Sequence, residues 1–554
     1  MGVPGFFAWL LKQNNNSSNK KIVCSTIPNK PHALYLDANC LFHPQCFKIL
    51  GAFTNETNVN KLETLMIKRI INYINYLIDF VQPTDLIYIA VDGVAPVAKI
   101  NQQRKRRYKS IYDNEIKSNI MSKHNIPHNT NWSNIVITPG TKFMYKLDKE
   151  LIKLVATNNK IIYSSYKEPG EGEHKILQYI KNNITDKIQV IYGLDADLIF
   201  LAFASNISNI FLLRENIHLD AKFKDDNIDK DPVIDVKQAL CYVSIDNTIE
   251  TLNNFILSKL DESYYDKLTN FKNDFIFICY FLGNDFIPHI PSIDIKKEGM
   301  DIIINAYIHS LERTGEYIIE NPQKLTINKT TFKLFLCFLS DVEQQYFKEI
   351  LPYYHNRKKQ CRSTNPYDVE MWEFDNIINI TNQINVSNKD LIYDPFHLME
   401  LSYDIDKSKT KYYKHYFKNY KENNITNIVD DFYKILYWVL DYYFNLCHCW
   451  ITHYKYNHSP FISDIYKYMD LMDNYDGKEI NNNPPITINQ QLISVIPPQY
   501  KNILDKNLQI KYNDEKLKPL LPEYSRMDFH YKDMFWLVEL ELPYLDINII
   551  KNID

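Results

Sequence analysis

Seven carboxylates, Asp37, Asp92, Glu171, Glu173, Asp195, Asp197 and Asp285, stand at the ends of apolar runs or in tight turns of this chain. Their settings are Leu36-Asp37-Ala38-Asn39, Val91-Asp92-Gly93, Pro169-Gly170-Glu171-Gly172-Glu173-His174, Gly193-Leu194-Asp195-Ala196-Asp197 and Gly283-Asn284-Asp285. Gathered in one cleft, they would repel and raise one another's pKa unless cations sat among them. Oxygen-only ligands suit hard ions, Mg²⁺ first and Mn²⁺ second. Two such ions about 3.5–4 Å apart would activate a water and stabilise the leaving oxygen of an in-line displacement. Any one of these acids alone reads as a helix cap or an exposed turn residue. Five such motifs together read as a metal site.

Asp92 has a second kind of chemistry beside it. It ends the apolar run Leu86 to Val91, and after a turn the pattern predicts a helix that continues into Arg104-Lys105-Arg106-Arg107. On that helix Lys99, Gln103, Arg106 and Arg107 fall at i, i+4, i+7 and i+8 and share one face. A carboxylate beside a compact cationic pocket suits an enzyme that grips a phosphate and cuts a phosphodiester close by. A solvated helix face or a nuclear-import signal is the plainer reading of such a run. Its place one short helix from Asp92 favours the pocket.

The elements that must carry these residues alternate. Ala33 to Leu36 ends at Asp37, Leu86 to Val91 at Asp92, Ile135 to Thr138 at Pro139-Gly140, and Lys160 to Ser164 precedes Glu168-Pro169-Gly170. Ile188 to Tyr192 ends just before Asp195, and Lys61 to Phe80 carries apolar residues in a helical stripe. This predicts an α/β class: a mostly parallel central sheet flanked by helices, with acids at the C-terminal strand ends where such sheets build sites. A second, mainly helical and aromatic-rich region, notably Asp430 to Tyr454, is expected to pack against it. The polar stretch from His355 to Asp375 is the linker candidate. The expected organisation is residues 1–354 as a nuclease domain, 355–394 as linker and 395–554 as a second region completing the substrate channel.

Composition bounds the rest. With 63 Lys+Arg against 67 Asp+Glu over 554 residues, nucleic-acid contact must come from local concentration of charge. Nine cysteines, an odd number, point to free thiols in a reducing compartment. The apolar N-terminal run from Gly2 to Leu11 is too short to span a membrane, and Phe6 argues against N-terminal myristoylation. A soluble monomer resident in the cytoplasm is expected, with the nucleus left open. Of only 12 glycines, six (Gly93, Gly140, Gly170, Gly172, Gly193, Gly283) lie in these motifs. Cys447-His448-Cys449 with His453 and His458 suggests zinc on the surface, but the spacing fits no standard finger.

The motifs carry a resemblance. Met1 to Leu10, Asp92 to Arg107, Ile137 to Thr141, Glu168 to His174, Gly193 to Leu198 and Gly283 to Pro291 resemble those of the XRN-type 5′→3′ exoribonucleases in order and spacing. The likeness continues through Trp438-Val439-Leu440 and Ser494 to Pro498 to Phe535-Trp536. It implies a PIN/FEN-like nuclease core without the family's accessory C-terminal region or zinc knuckle. By resemblance, the seven acids bind the metals and Lys99, Gln103, Arg106 and Arg107 hold a 5′-monophosphate. His43 and Trp450 would stack on bases, although Thr452 stands where the family usually has a second tryptophan. Pro96 and the N-terminal segment would keep duplex out, so single-stranded RNA is the implied partner. The implied activity is processive hydrolysis of decapped, 5′-monophosphorylated RNA to nucleoside 5′-monophosphates in RNA decay. A flap-type 5′ nuclease acting on DNA and a non-catalytic RNA-binding scaffold remain the alternatives.

Overall fold

The structure, a computed structural model, describes residues 6–17, 21–195, 197–215, 231–355, 359–378, 405–417, 424–529 and 532–553. Seven strands, β1 (Val23–Cys24), β2 (Ala33–Asp37), β3 (Leu86–Ala90), β4 (Ile161–Ser164), β5 (Gln189–Tyr192), β6 (Ile210–Glu215) and β7 (Leu240–Ser244), form one sheet. Their order is β1-β7-β6-β5-β2-β3-β4. The five strands from β2 to β6 pair in parallel, while β7 and β1 are antiparallel at one edge. The chain lays β3 and β4 to one side of β2, then returns to place β5 and β6 on the other. The order therefore reverses between β2 and β5, and ligands of open parallel sheets bind beyond the strand ends at such a switch point.

Strand side chains alternate between two cores. Tyr35, Tyr88 and Ile191 face α6 (Gly172–Asn182) and α7 (Asp197–Ala204). Leu34, Leu36, Ile87 and Ile89 face α2 (Ala38–Ala52), α3 (Val59–Val81) and α5 (Lys142–Thr157). The predicted amphipathic stripe of 61–80 is α3, capped by the Asn58 side chain, which accepts from the Lys61 N–H. The basic helix is α4 (Val97–Lys123), a single 27-residue element. The first core extends from the sheet into the C-terminal half: the largely buried helix Ile425–Phe444 packs against α7.

Three expectations need correction. Ile135 to Thr138 is not a strand: Asn134–Val136 is a 3-10 turn started by the Ser133 hydroxyl, which accepts from the Ile135 N–H. The Ser133 cap and the following Pro139 confine the three apolar residues Ile135, Val136 and Ile137 to a turn. The aromatic segment Asp430 to Tyr454 is helical only to Phe444, beyond which Cys449 pairs with Asn483 in an isolated bridge. Within the expected linker, Pro366–Asp375 is a helix whose Phe374 is buried in one cluster with Tyr108 and Tyr112 of α4. The rest of that linker, including Arg357-Lys358, lies partly outside the described residues, as do Met1 to Gly5 and Ala196.

Candidate active site

Each acid is delivered by a strand end, a helix start or a short loop. Asp37 ends β2, Asp92 lies just past β3, and Asp195 lies in the loop after β5. Glu171 is the N-cap residue of α6 and Glu173 sits in its first turn. Asp197 opens α7, so both first-turn acids sit where the helix dipole favours negative charge. Asp285 follows Gly283, whose φ of +83° lets the chain turn back onto His289. Gly172 allows the start of α6 to descend onto the cluster. A Cβ there would lie 2.7 Å from Asp37 Oδ1 and 3.3 Å from Asp92 Oδ1, and its N–H donates to Asp92 Oδ1 at 2.7 Å.

A cavity of about 510 Å³ is lined by five of the seven acids: Asp37, Asp92, Glu171, Glu173 and Asp195. Its other wall carries Lys99, Gln103, Arg106, Arg107 and His43, so the face expected on α4 opens toward the acids. Lys99 joins the two groups. Its ammonium lies 2.5 Å from Glu171 Oε2 and 2.8 Å from Asp285 Oδ2, which ties Asp285 to the cluster from outside that cavity. Gln102 Nε2 also donates to Asp285 Oδ1, at 3.2 Å. Asp197 is buried and does not line that cavity.

Two residues that sequence reasoning missed hold this arrangement. Tyr442, from the helix Ile425–Phe444, donates its hydroxyl to Glu171 Oε1 at 2.6 Å and stacks on His174 at 3.7 Å. Lys175 donates to the carbonyls of Val91 and Ser165 at 2.8 and 2.9 Å, tying together the loops after β3 and β4. His174, the last residue of the Pro169 to His174 motif, joins the acids. Its ring nitrogen and the oxygens of Glu171 and Glu173 all lie within 4.8 Å of one another, a grouping able to hold a metal ion.

The electrostatics are those of a cluster short of cations. Burial, then Asp92 and Asp195, hold the Asp37 carboxyl well above the usual carboxylate range. Burial, with Glu171 and Asp197, does the same to Glu173 against the pull of Lys99. Burial and Asp285 push Asp197 up to about 7. Asp285 goes the other way: burial would raise it, but Lys99 holds it below the ordinary range. Burial alone would lower Lys99, and Asp285 and Glu171 instead hold it well above the usual lysine value. Glu173 Oε2 and Asp197 Oδ1 are buried acceptors with no hydrogen-bond partner. Buried carboxylate oxygens need a proton or a cation, so this donor set fits a divalent metal ion.

That fit carries a pH signature. The raised Asp197 carboxyl costs the fold nothing below about pH 4, where it is protonated folded and unfolded alike. The cost grows as the pH rises to about 7 and is complete above it. Below about pH 7 a cation must also displace this proton. Added MgCl₂ is therefore expected to raise Tm more at about pH 8 than at about pH 6. Equal shifts at the two pH values would remove proton competition from the site.

On the basic side, Arg107 Nη1 donates to Gln103 Oε1 at 3.3 Å. Burial, then the neighbouring Arg106, lowers Arg107 to about 9. Burial, then both guanidiniums, pushes His43 down to about 4, so its ring is neutral at physiological pH. Two guanidiniums side by side, one of them destabilised by burial and by its neighbour, are a preformed site for an anion. Trp450 is half-buried, its carbonyl accepts from the Val97 N–H at 2.8 Å, and it does not line this cavity. Pro96 is buried as the N-cap residue of α4, so it presents no open face of its own. Among the described residues Cys447, His448, Cys449, His453 and His458 form no metal-competent grouping; His448 Nδ1 instead meets Asp441 Oδ2 at 2.7 Å.

Comparison with known proteins adds the lineage of this arrangement. The family model described as the XRN 5′-3′ exonuclease N-terminus matches residues 1–216, and that of the Xrn1 helical domain matches residues 266–407 and 381–552. The human protein named 5′-3′ exoribonuclease 1 is 26% identical over 99% of this chain and 33% of its own length. The protein of that name from Saccharomyces cerevisiae is 25% identical over 99% of this chain and 42% of its own length. Chicken 5′-3′ exoribonuclease 2 is 26% identical over 99% of this chain and 69% of its own length. The chain thus spans between a third and a half of the length of the exoribonuclease 1 relatives it matches. No helix among the described residues is long and apolar enough to cross a membrane.

Proposed function

The chain belongs to the XRN family of 5′-3′ exonucleases, and on that premise we propose that it degrades single-stranded, 5′-monophosphorylated RNA from its 5′ end, releasing nucleoside 5′-monophosphates in RNA decay. The observation that carries this reading is Lys99. One ammonium stands between the acidic cluster and the recess of Gln103, Arg106 and Arg107, so a 5′-phosphate held in the recess is one short step from the acids.

The seven acids hold divalent cations, Mg²⁺ in the first place, as a two-ion site. Ions bound there supply the Lewis-acid charge for attack of water on a phosphodiester. The protein's own contribution is to fix the geometry. Tyr442 orients Glu171, Gly172 orients Asp92, and Lys99 with Gln102 orients Asp285. The two guanidiniums grip the terminal phosphate, which fixes the scissile bond one nucleotide away. His43, kept neutral, offers its ring to the first base, a contact any base can make. By its shape the recess would admit a monophosphate and exclude a bulky cap. Pro96, buried at the start of α4, would help to exclude duplex by shaping the entrance rather than by acting as a wedge. Residues 1–354 carry the site, 395–554 complete the channel around it, and the protein works as a monomer.

The test is a set of matched RNAs bearing a cap, a triphosphate, a monophosphate or a hydroxyl at the 5′ end, with a flap DNA alongside. The monophosphate RNA is expected to be degraded fastest and only with Mg²⁺ or Mn²⁺. Equal rates on all four RNA ends would contradict the phosphate recess, and preference for the flap would move the protein to the DNA-directed class.

A further inference from the structure

A second cavity, of about 430 Å³, lies against a different face of α4 and meets the first at Arg106, which lines both. Asp285 stands in its wall as well, next to the cluster through Lys99. At its other side it shares His453, Lys455 and Tyr544 with a third cavity of about 420 Å³. The three cavities thus adjoin in series, with Arg106 at the first junction and Asp285 in the wall of the second.

The second cavity is made for a polar, anionic occupant. Five of its wall residues hold buried polar atoms with no partner: Gln102 Oε1, Arg104 Nε, Asp113 Oδ1, Asn284 Nδ2 and His453 Nε2. Buried polar groups are ordinarily hydrogen-bonded, so a wall with five unmet donors and acceptors calls for a ligand that supplies both. Six basic side chains face three carboxylates around it, and three lysines face one glutamate around the third cavity. Between the two, the rings of His453 and Tyr544 stack at 5.1 Å with 17° between planes, and Tyr544 is 47% exposed. Trp450, expected as the stacking wall, lines none of the three cavities.

We propose that the second and third cavities are the track for the RNA 3′ of the scissile bond, and that the His453–Tyr544 pair is the platform on which one of its bases stacks. The inference rests on the function proposed above. If the 5′-phosphate fills the recess beside His43, the remaining strand must pass the acids and leave along the cavity that Arg106 and Asp285 open. A basic groove with one aromatic platform is how single strands are held without base reading.

The experiment follows kcat/KM on 5′-monophosphorylated oligonucleotides from about three to ten nucleotides, for wild type, Tyr544→Ala and Tyr544→Phe. In wild type kcat/KM should rise with length until the strand reaches the platform. Tyr544→Ala should lose most of that rise, on the order of 10-fold on the longest substrate, while Tyr544→Phe keeps it. A rise that persists in Tyr544→Ala overturns the track. So does a variant altered only in its inhibition by added nucleoside 5′-monophosphate, which would make the cavity a product chamber. A wild type inert on every length overturns the function itself, and the track with it.

Discussion

Asp197→Asn is expected to slow degradation of 5′-monophosphorylated RNA by about 10³-fold while RNA binding remains measurable. Asp197 opens α7, is buried, and leaves Oδ1 without a partner. Asparagine keeps the shape and removes the charge a cation would meet. The sign of the stability change separates this from unfolding. Because burial and Asp285 push the Asp197 carboxyl up to about 7, its ionised form costs the metal-free fold stability above that pH. The neutral amide removes that cost, so metal-free Asp197→Asn should melt no lower than wild type at about pH 8. A variant that folds as well, binds RNA and does not cut it has lost a metal ligand. Asp195→Ala, from the same loop, is expected to behave alike in the rate assay. Wild-type turnover in either variant would break the metal-site assignment.

How far the site could be read from sequence depended on where each side chain was placed. The acids were legible because they sit at strand ends and helix starts, where an apolar run stops at a carboxylate or a glycine breaks the pattern. The shared basic face was legible because a helix has a fixed period. Lys99, Gln103, Arg106 and Arg107 needed only one element to share a face, and α4 supplied it. Tyr442 was not legible. Its contact with Glu171 spans 271 positions and depends on two regions packing together, and one tyrosine among 41 carries no signal of its own. The strands β1, β6 and β7 were passed over, although β6 is itself an apolar run that stops at Arg214-Glu215. The Ile135 to Thr138 run failed for the opposite reason, since local apolar composition says nothing about whether a segment has a partner strand. Trp450 touches α4 through its backbone carbonyl, which accepts from the Val97 N–H, a contact that no residue type in the sequence announces.

Lys99→Met tests the one residue on which both halves of the site depend. The ammonium is buried and paired with two carboxylates from different elements, Glu171 at the start of α6 and Asp285 in the loop after Gly283. Both hold its pKa well above the ordinary lysine value, so it stays charged throughout the working range. Methionine fills similar space and leaves those carboxylates facing each other with nothing between them. Removing one partner of a buried ion pair costs about 3–5 kcal/mol, and that loss is expected in the metal-free protein. A divalent cation bound to the same acids restores part of the missing charge, so the Tm gap to wild type should narrow as MgCl₂ is added. Activity should not recover with it. The variant also lacks a cation beside the terminal phosphate, and kcat/KM on 5′-monophosphorylated RNA is expected to stay about 10²-fold low at saturating Mg²⁺. Its preference for a phosphate over a hydroxyl at the 5′ end should weaken in parallel. A Tm unchanged without metal would show that Lys99 is not the counter-ion of the cluster. An unchanged preference for the phosphate would show that it takes no part in measuring where the RNA begins.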